Sequence, residues 1–111
     1  MSEPLDVLVF YVPVADTDRV LAALFEVGAG CIGHYDSCAF VASGTGQFRP
    51  LAGAHPVVGE VGSLERLAEN RVELTFPRSL RPTVVGRLRD AHPYEEPAFH
   101  VLRNEDDGAA G

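Results

Sequence analysis

A short segment near the C-terminus carries the side chains best suited to chemistry. Residues 91–98 read AHPYEEPA, so an imidazole precedes the first of two prolines, and a phenol and two carboxylates lie between them. Each proline fixes its own φ angle and biases the residue before it, here His92 and Glu96, toward extended geometry. The pattern predicts a stiff connector that presents a binding site or an interface.

His92, Glu95 and Glu96 are the candidate metal ligands in this connector, because zinc and copper accept imidazole and carboxylate ligands. His92 and Glu95 could converge on one divalent ion, particularly across a subunit boundary. In the alternative interpretation, His92 caps the preceding helix, Tyr94 packs into an interface and the carboxylates stay hydrated. That alternative is favoured, since the spacing matches no recognised closed metal site.

A glycine-rich segment supplies a second candidate site. Gly44-Thr45-Gly46 lacks the Gly-Lys-Ser/Thr of a phosphate-binding loop and precedes no helix. Arg49 could still bind an anion in a cleft between subunits. A tight turn, with Arg49 paired to a carboxylate such as Glu60, is the favoured interpretation.

No pattern in the chain indicates catalysis. Glu95 and Glu96 are adjacent and would point to opposite sides of an extended chain, which makes them poor partners for acid–base work. No serine or cysteine has an obvious base beside it. Cys31 and Cys38 match no zinc or redox spacing, and we expect them to pack as small buried hydrophobes.

Composition limits the partners and the setting. The chain has 111 residues, enough for one domain, and a formal net charge of −7. An acidic surface repels phosphate backbones, so nucleic-acid binding is not expected. No apolar run approaches the length of a membrane span, and no signal peptide is recognisable. A reduced, cytoplasmic location is the expectation.

Hydrophobic patterning predicts the order strand, helix, strand, ribbon, strand, helix, strand. The strands are predicted at residues 5–14, 35–43, 71–76 (starting as early as 64, with a bulge at Glu69-Asn70) and 98–102. One helix should run from residue 16 or 17 to 27, and the other from a Ser79 cap to His92; a β-ribbon excursion occupies about 44–62. This order predicts an α+β, ferredoxin-like split βαβ sandwich over residues 1–103, with a disordered acidic tail at 104–111. One sheet face would stay bare, which predicts oligomerisation through it.

Four motifs in one order carry a family resemblance: GAGCIGHY at 28–35, GTGQFRP at 44–50, GAHP through GEVG at 53–62, and AHPYEEPAF at 91–99. The series resembles the PII-like insert domain of YqfO-type proteins. These belong to the NGG-interacting-factor-three-like (NIF3-like) family, also called GTP cyclohydrolase 1 type 2 homologues. Full-length members hold a two-metal centre in outer lobes that have no counterpart here, so the resemblance transfers neither that centre nor a hydrolase activity.

The resemblance implies a stand-alone PII-like or CutA-like domain, a fold class that typically forms trimers. The first hypothesis is a non-enzymatic, homotrimeric regulatory or ligand-sensing module with its ligand in clefts between subunits. The residues implied for ligand binding are Gly30, His34, Gly44, Thr45, Gly46, Arg49 and Tyr94. One alternative is a CutA-type divalent-metal-binding protein that uses His92 with Glu95 or Glu96. Another is an accessory domain that docks onto a separate two-metal NIF3-like protein.

Overall fold

Two strand–helix–strand halves form one four-stranded sheet in the computed structural model, which describes residues 3–105. The elements in chain order are β1 Leu5–Pro13, α1 Thr17–Glu26, β2 Phe40–Phe48, β3 Glu65–Pro77, α2 Arg81–Ala91 and β4 Phe99–Leu102. The strand order across the sheet is β2-β3-β1-β4, and all neighbours are antiparallel. The predicted ferredoxin-like split βαβ fold is therefore confirmed.

The core lies between one face of the sheet and the two helices. Strand residues alternate between faces, and Leu8, Phe10 and Val12 of β1 turn inward. The buried residues that meet them come from β3 and from both helices: Val72, Leu74, Phe76, Val20, Leu21, Leu24, Val84 and Leu88. Neither helix, within residues 3–105, is long and apolar enough to cross a membrane.

The second strand lies further along the chain than predicted. It was expected at residues 35–43 but spans Phe40–Phe48, so Gly44-Thr45-Gly46 is strand rather than turn. Ile32 and Tyr35 form only an isolated bridge. The pairing of β2 with β3 is continuous from Phe40↔Glu73 to Phe48↔Glu65, so the predicted bulge at 69–70 was wrong. The predicted ribbon is therefore the far end of this hairpin plus a connecting segment, residues 49–64, which we call the excursion.

Both helix starts lack the expected side-chain caps. Leu80 rather than Ser79 precedes α2, and the Ser79 amide donates to Glu3 Oε1 at 2.7 Å instead. Pro82 lies in the first turn of α2, where a missing N–H costs little. The helix ends at Ala91, because His92 already adopts the extended geometry (φ −70°, ψ 138°) that a following proline favours.

Asp6 forms a partly buried ion pair and also ties the first strand to the segment after the last strand. Asp6, 4% exposed, accepts hydrogen bonds from the Arg78 guanidinium at 2.9–3.1 Å and from the Asn104 amide at 3.2 Å. The bonds from Arg78 are the main reason that the pKa of Asp6 is lowered. Asn104, predicted to begin a disordered tail, is therefore held in place, and residues 106–111 of that tail lie outside the described part of the chain.

The segment between α1 and β2 is more exposed than the sequence suggested. Cys31 is exposed and Cys38 partly so, which corrects the expectation that both are buried. Their segment runs along the edge of the sheet instead of entering the core. The Gly30 amide donates to the Thr75 carbonyl at 2.8 Å, and the Cys38 amide donates to the Gly30 carbonyl at 2.9 Å.

The sheet face opposite the helices is mixed in character. By the alternation of β1, Val7, Val9 and Tyr11 point to this face, and Val9 is fully buried. An Arg71–Glu73 ion pair at 2.8 Å crosses the same face. Phe40 of β2 and Leu102 of β4, the two outer strands, also lie on this face and are 65% and 48% exposed. We call this surface the open face.

Candidate functional site

A cavity of about 320 Å³ lies at one end of the open face. It forms where the end of β2, the excursion and the connector (residues 92–97) meet. The lining residues are Tyr11, Gln47, Phe48, Arg49, Pro50, Leu51, Ala54, Pro56, Val57, Val58, Glu69, Tyr94, Glu95, Glu96 and Ala98. Apolar walls with a few polar groups are typical of small-molecule sites, and the volume is at the lower end of their range.

His92 connects this cavity to the core. Its side chain is buried and packs edge-on against Phe10, with ring centroids 6.5 Å apart. Its Nδ1 accepts a hydrogen bond from the Tyr94 amide at 3.1 Å, so Nε2 carries the proton and donates to the Tyr11 carbonyl at 2.6 Å. Both ring nitrogens are therefore occupied.

The hydrogen bonds of His92 bear directly on the predicted metal site. Metal ligation needs a free nitrogen lone pair, which His92 does not have here. Within residues 3–105, no three His, Cys, Asp or Glu side chains are placed to hold a metal ion. Within a single subunit, His92, Glu95 and Glu96 are therefore not placed as one ligand set, and a metal site across a subunit boundary stays a prediction. His92 instead occupies the capping position of the alternative interpretation.

Stability should depend on pH through His92. Burial lowers the pKa of His92 below its usual 6.5. Below that pH the unfolded chain takes up a proton that the native imidazole resists, so the free energy of unfolding should fall as the pH decreases from about 6.5 and level off below the native pKa. Urea unfolding at about pH 7.5 and about pH 5.5 measures the difference. The H92Q variant should lose this dependence and H100Q, which changes an exposed histidine, should keep it; a dependence that persists in H92Q would contradict the assignment.

Tyr94 forms one wall of the cavity and is held by two contacts. Its hydroxyl donates to Glu69 Oε2 at 2.8 Å, and its ring lies against Phe48 with centroids 5.6 Å apart. Burial, followed by the hydrogen bond to Glu69, raises the pKa of Tyr94 far above its usual value. The phenol is thus a permanent hydrogen-bond donor and does not supply a phenolate near neutral pH.

Glu69 occupies the space that two glycines of β2 leave open. Gly44 pairs directly with Glu69, and Gly46 lies two residues further along the same face of the strand. A Cβ on Gly46 would overlap the Glu69 carboxylate. The Gly-Thr-Gly sequence is therefore a strand that makes room for a buried carboxylate, and Thr45 points to the opposite face.

Two hydrogen bonds, each donated by a backbone amide of the excursion, hold the excursion beside the cavity. Glu95 Oε1 accepts a hydrogen bond from the His55 amide at 2.9 Å, which joins the connector to the excursion. The Gly62 amide donates to the Pro50 carbonyl at 2.7 Å and closes the base of the excursion. Arg49 makes no ion pair with Glu60 among the residues described, so that predicted pairing was wrong.

The motif residues predicted to line the cleft fall in three segments, 30–34, 44–50 and 92–96, and the structure brings the last two together. Arg49, Tyr94, Glu95 and Glu96 line the cavity, and Gly44 and Gly46 border Glu69. Gly30 bonds to Thr75, six residues along β3 from Glu69, which is roughly 20 Å away. Within one subunit, Gly30 and His34 are therefore remote from this cavity.

Sequence reasoning missed several residues of the cavity: Tyr11, Glu69 and the apolar side chains of 51–58. Glu69 had a signal, since it lies on the same strand face as the alternating glycines once β2 and β3 are paired. The remaining residues depend on how the excursion folds back, which no local pattern indicates.

Comparison of the sequence with known proteins finds relatives that match most of this chain. No family model matches the chain. The GTP cyclohydrolase 1 type 2 homologue of Mycobacterium leprae is 52% identical over 98 residues, which are 88% of this chain and 26% of that protein. Its Bacillus subtilis counterpart is 46% identical over 100 residues, or 90% of this chain and 27% of that one. The chain is similar over most of its length to one segment of the GTP cyclohydrolase 1 type 2 homologues.

Solved structures extend this result and confirm the resemblance drawn from the four motifs. A Bacillus cereus protein related to NIF3 superposes with a TM-score of 0.80 at 39% identity, over 96% of this chain and 27% of that one. The divalent ion tolerance protein CutA1 of Ehrlichia chaffeensis gives 0.70 at 18% identity, over 96% and 86%. The CutA1 match shows the fold alone. Because the chain spans about a quarter of the GTP cyclohydrolase 1 type 2 homologues, the activity of those whole proteins is not carried over.

Proposed function

We propose that this domain is a non-enzymatic, homotrimeric regulatory or ligand-sensing module. The observation that carries the proposal is the cavity, where the connector meets the end of β2 around the Tyr94–Glu69 hydrogen bond. Its mouth is bordered by the excursion, which a neighbouring subunit could contact. A ligand seated there would contact side chains that reach the core through His92.

The side chains around the cavity favour binding over catalysis. Both nitrogens of His92 are engaged, so the imidazole is not available to transfer a proton to a ligand. Tyr94 keeps its proton because its pKa is raised by burial and by Glu69. The groups best placed for acid–base chemistry therefore serve as fixed hydrogen-bonding positions.

The trimer is proposed from the open face and the CutA-like fold. Phe40 and Leu102 leave apolar surface exposed beside the Arg71–Glu73 ion pair, and neither α1 nor α2 covers this side in the described part of the chain. Packing of such faces against one another would bury both side chains. The metal-binding alternative has less support, because the ligands it needs do not converge within one subunit. Docking onto a separate NIF3-like protein stays an alternative.

Light scattering tests the proposed assembly. The wild type should have the mass of a trimer, and the F40D variant should dissociate because it places a charge in the buried face. V61D is the matched control, since Val61 is also exposed (51%) but lies in the excursion. A monomeric wild type, or equal behaviour of the two variants, would refute assembly through the open face.

A thermal-shift screen tests the ligand-sensing part. Nucleotides, divalent ions, amino acids, alkyl carboxylates and alkylamines are each added to the purified protein. At least one class should raise Tm, because a ligand that binds only the native state stabilises it. The absence of any shift across all classes would contradict a ligand-sensing role.

A further inference from the structure

We infer that the cavity binds a small organic cation, an ammonium or guanidinium group on a short apolar chain, with the Glu69 carboxylate as its anchor. This inference rests on the proposed ligand-binding role and names its chemical class. Three features of the described residues support it: the charges that line the cavity, the hydrogen-bond partners of Glu69, and the apolar and aromatic side chains of the walls.

The charged groups that line the cavity are mainly acidic. Three carboxylates, those of Glu69, Glu95 and Glu96, face one guanidinium, that of Arg49. Arg49, Glu95 and Glu96 are exposed, whereas Glu69 is 8% exposed and lies inside. The whole chain carries a formal net charge of −7. The field at the mouth of the cavity therefore attracts cations.

Glu69 is a buried carboxylate with an incomplete set of partners. Its Oε2 accepts the Tyr94 hydroxyl at 2.8 Å, whereas its Oε1 accepts no hydrogen bond within residues 3–105 and is in contact with solvent. A buried carboxylate held by one neutral donor is unfavourable unless a further donor or a positive charge compensates it. Since Glu69 lines the cavity, a cationic donor that enters can supply this missing interaction.

The walls favour an organic cation over a metal ion. Phe48, Leu51, Pro56, Val57 and Val58 offer apolar surface to an alkyl chain. Among the residues described, the carboxylates do not form a group that could hold a metal ion. The rings of Tyr11 and Tyr94 also line the cavity, and aromatic faces attract ammonium and guanidinium groups.

Calorimetric titration with four probes of equal chain length tests the inference. The probes are hexylammonium, hexylguanidinium, hexanoate and 1-hexanol, all at the same ionic strength. The two cations should bind at least about tenfold more tightly than the alcohol, in keeping with a charge-assisted hydrogen bond to a buried group. Hexanoate should bind most weakly. This comparison uses the wild-type protein only and does not depend on the folding of any variant.

Variants then assign the charge preference to Glu69. E69Q keeps an acceptor for Tyr94 but removes the charge, and it should lose about tenfold in affinity for the cations while its affinity for 1-hexanol is unchanged. E60Q is the matched control, because Glu60 is an exposed glutamate of the excursion that does not line the cavity.

Different results would contradict the cation assignment and the wider ligand-sensing role. If 1-hexanol or hexanoate binds as tightly as hexylammonium, or if E69Q binds the cations like the wild type, the cation assignment is wrong although the cavity still binds ligands. If none of the four probes binds, the inference fails, and the wider screen then decides whether the ligand-sensing role fails with it.

Discussion

Replacement of Asp6 by alanine is expected to lower the free energy of unfolding by about 3 kcal/mol, because it removes the buried carboxylate that accepts hydrogen bonds from the Arg78 guanidinium. Asp6 is 4% exposed and accepts three hydrogen bonds from Arg78 at 2.9–3.1 Å. The same change removes the acceptor of the Asn104 amide. Urea unfolding followed by circular dichroism measures the loss.

An exposed ion pair provides the control for D6A. Arg87 and Glu26 are 3.4 Å apart, and their side chains are 38% and 70% exposed. The E26A variant should change stability by less than about 1 kcal/mol, as is usual for exposed pairs. Equal effects of D6A and E26A would show that burial of Asp6 contributes nothing.

Acid titration of the wild type gives a second test of the Asp6 pair. Arg78 lowers the pKa of Asp6 below 3.8, so the native state holds the carboxylate ionised where the unfolded state would protonate it. The contribution of the pair should be complete above pH 3.8 and disappear as the pH falls through the lower, native pKa. The D6A variant should lack this acid-dependent component.

Replacement of Gly46 by alanine is expected to cost about 2 kcal/mol and to weaken ligand binding in the cavity. The new methyl group would occupy the position of the Glu69 carboxylate, which must then rotate away from Tyr94. The change therefore combines overpacking with the loss of a buried hydrogen bond. Chemical unfolding and a titration with hexylammonium measure the two effects separately.

Gly44 offers a closely matched control on the same face of β2. A Cβ on Gly44 would be 4.0 Å from the Glu69 carbonyl oxygen, so alanine fits there. Because glycine is disfavoured within strands, G44A should be neutral or stabilising by about 0.5 kcal/mol. Equal destabilisation by G44A and G46A would mean that the strand tolerates no side chain at all, and the explanation through Glu69 would be wrong.

The fold was predictable because its main signals are local. The apolar run of β1, the alternation from Arg71 to Phe76 and the proline after His92 each constrain one element with little help from the rest of the chain. The short connections then leave few topologies, and the ferredoxin-like arrangement was correct. Gly44-Thr45-Gly46 was misread because glycine usually marks a turn, whereas here the partner strand supplies the side chain that fills the space.

The site was only partly predictable because it depends on contacts distant in sequence. Tyr94 was identified from the connector motif, but its partner Glu69 is 25 residues away and depends on the pairing of β2 with β3. His92 was recognised as important, yet its role followed from the Tyr11 carbonyl, 81 residues away. Residue type alone could not separate a metal ligand from a doubly hydrogen-bonded imidazole.

The antiparallel pairing of β1 with β4 has a consequence for how this domain connects to other chain segments. Val7 lies opposite Leu102, and Asn104 is held at Asp6, so the backbone enters and leaves at one corner of the molecule. A domain whose two ends lie side by side can be inserted into a surface turn of another domain without disturbing the packing of either domain. The cavity lies at the opposite end of β1, because its lining residue Glu69 pairs with Pro13 whereas Asp6 pairs with Phe76.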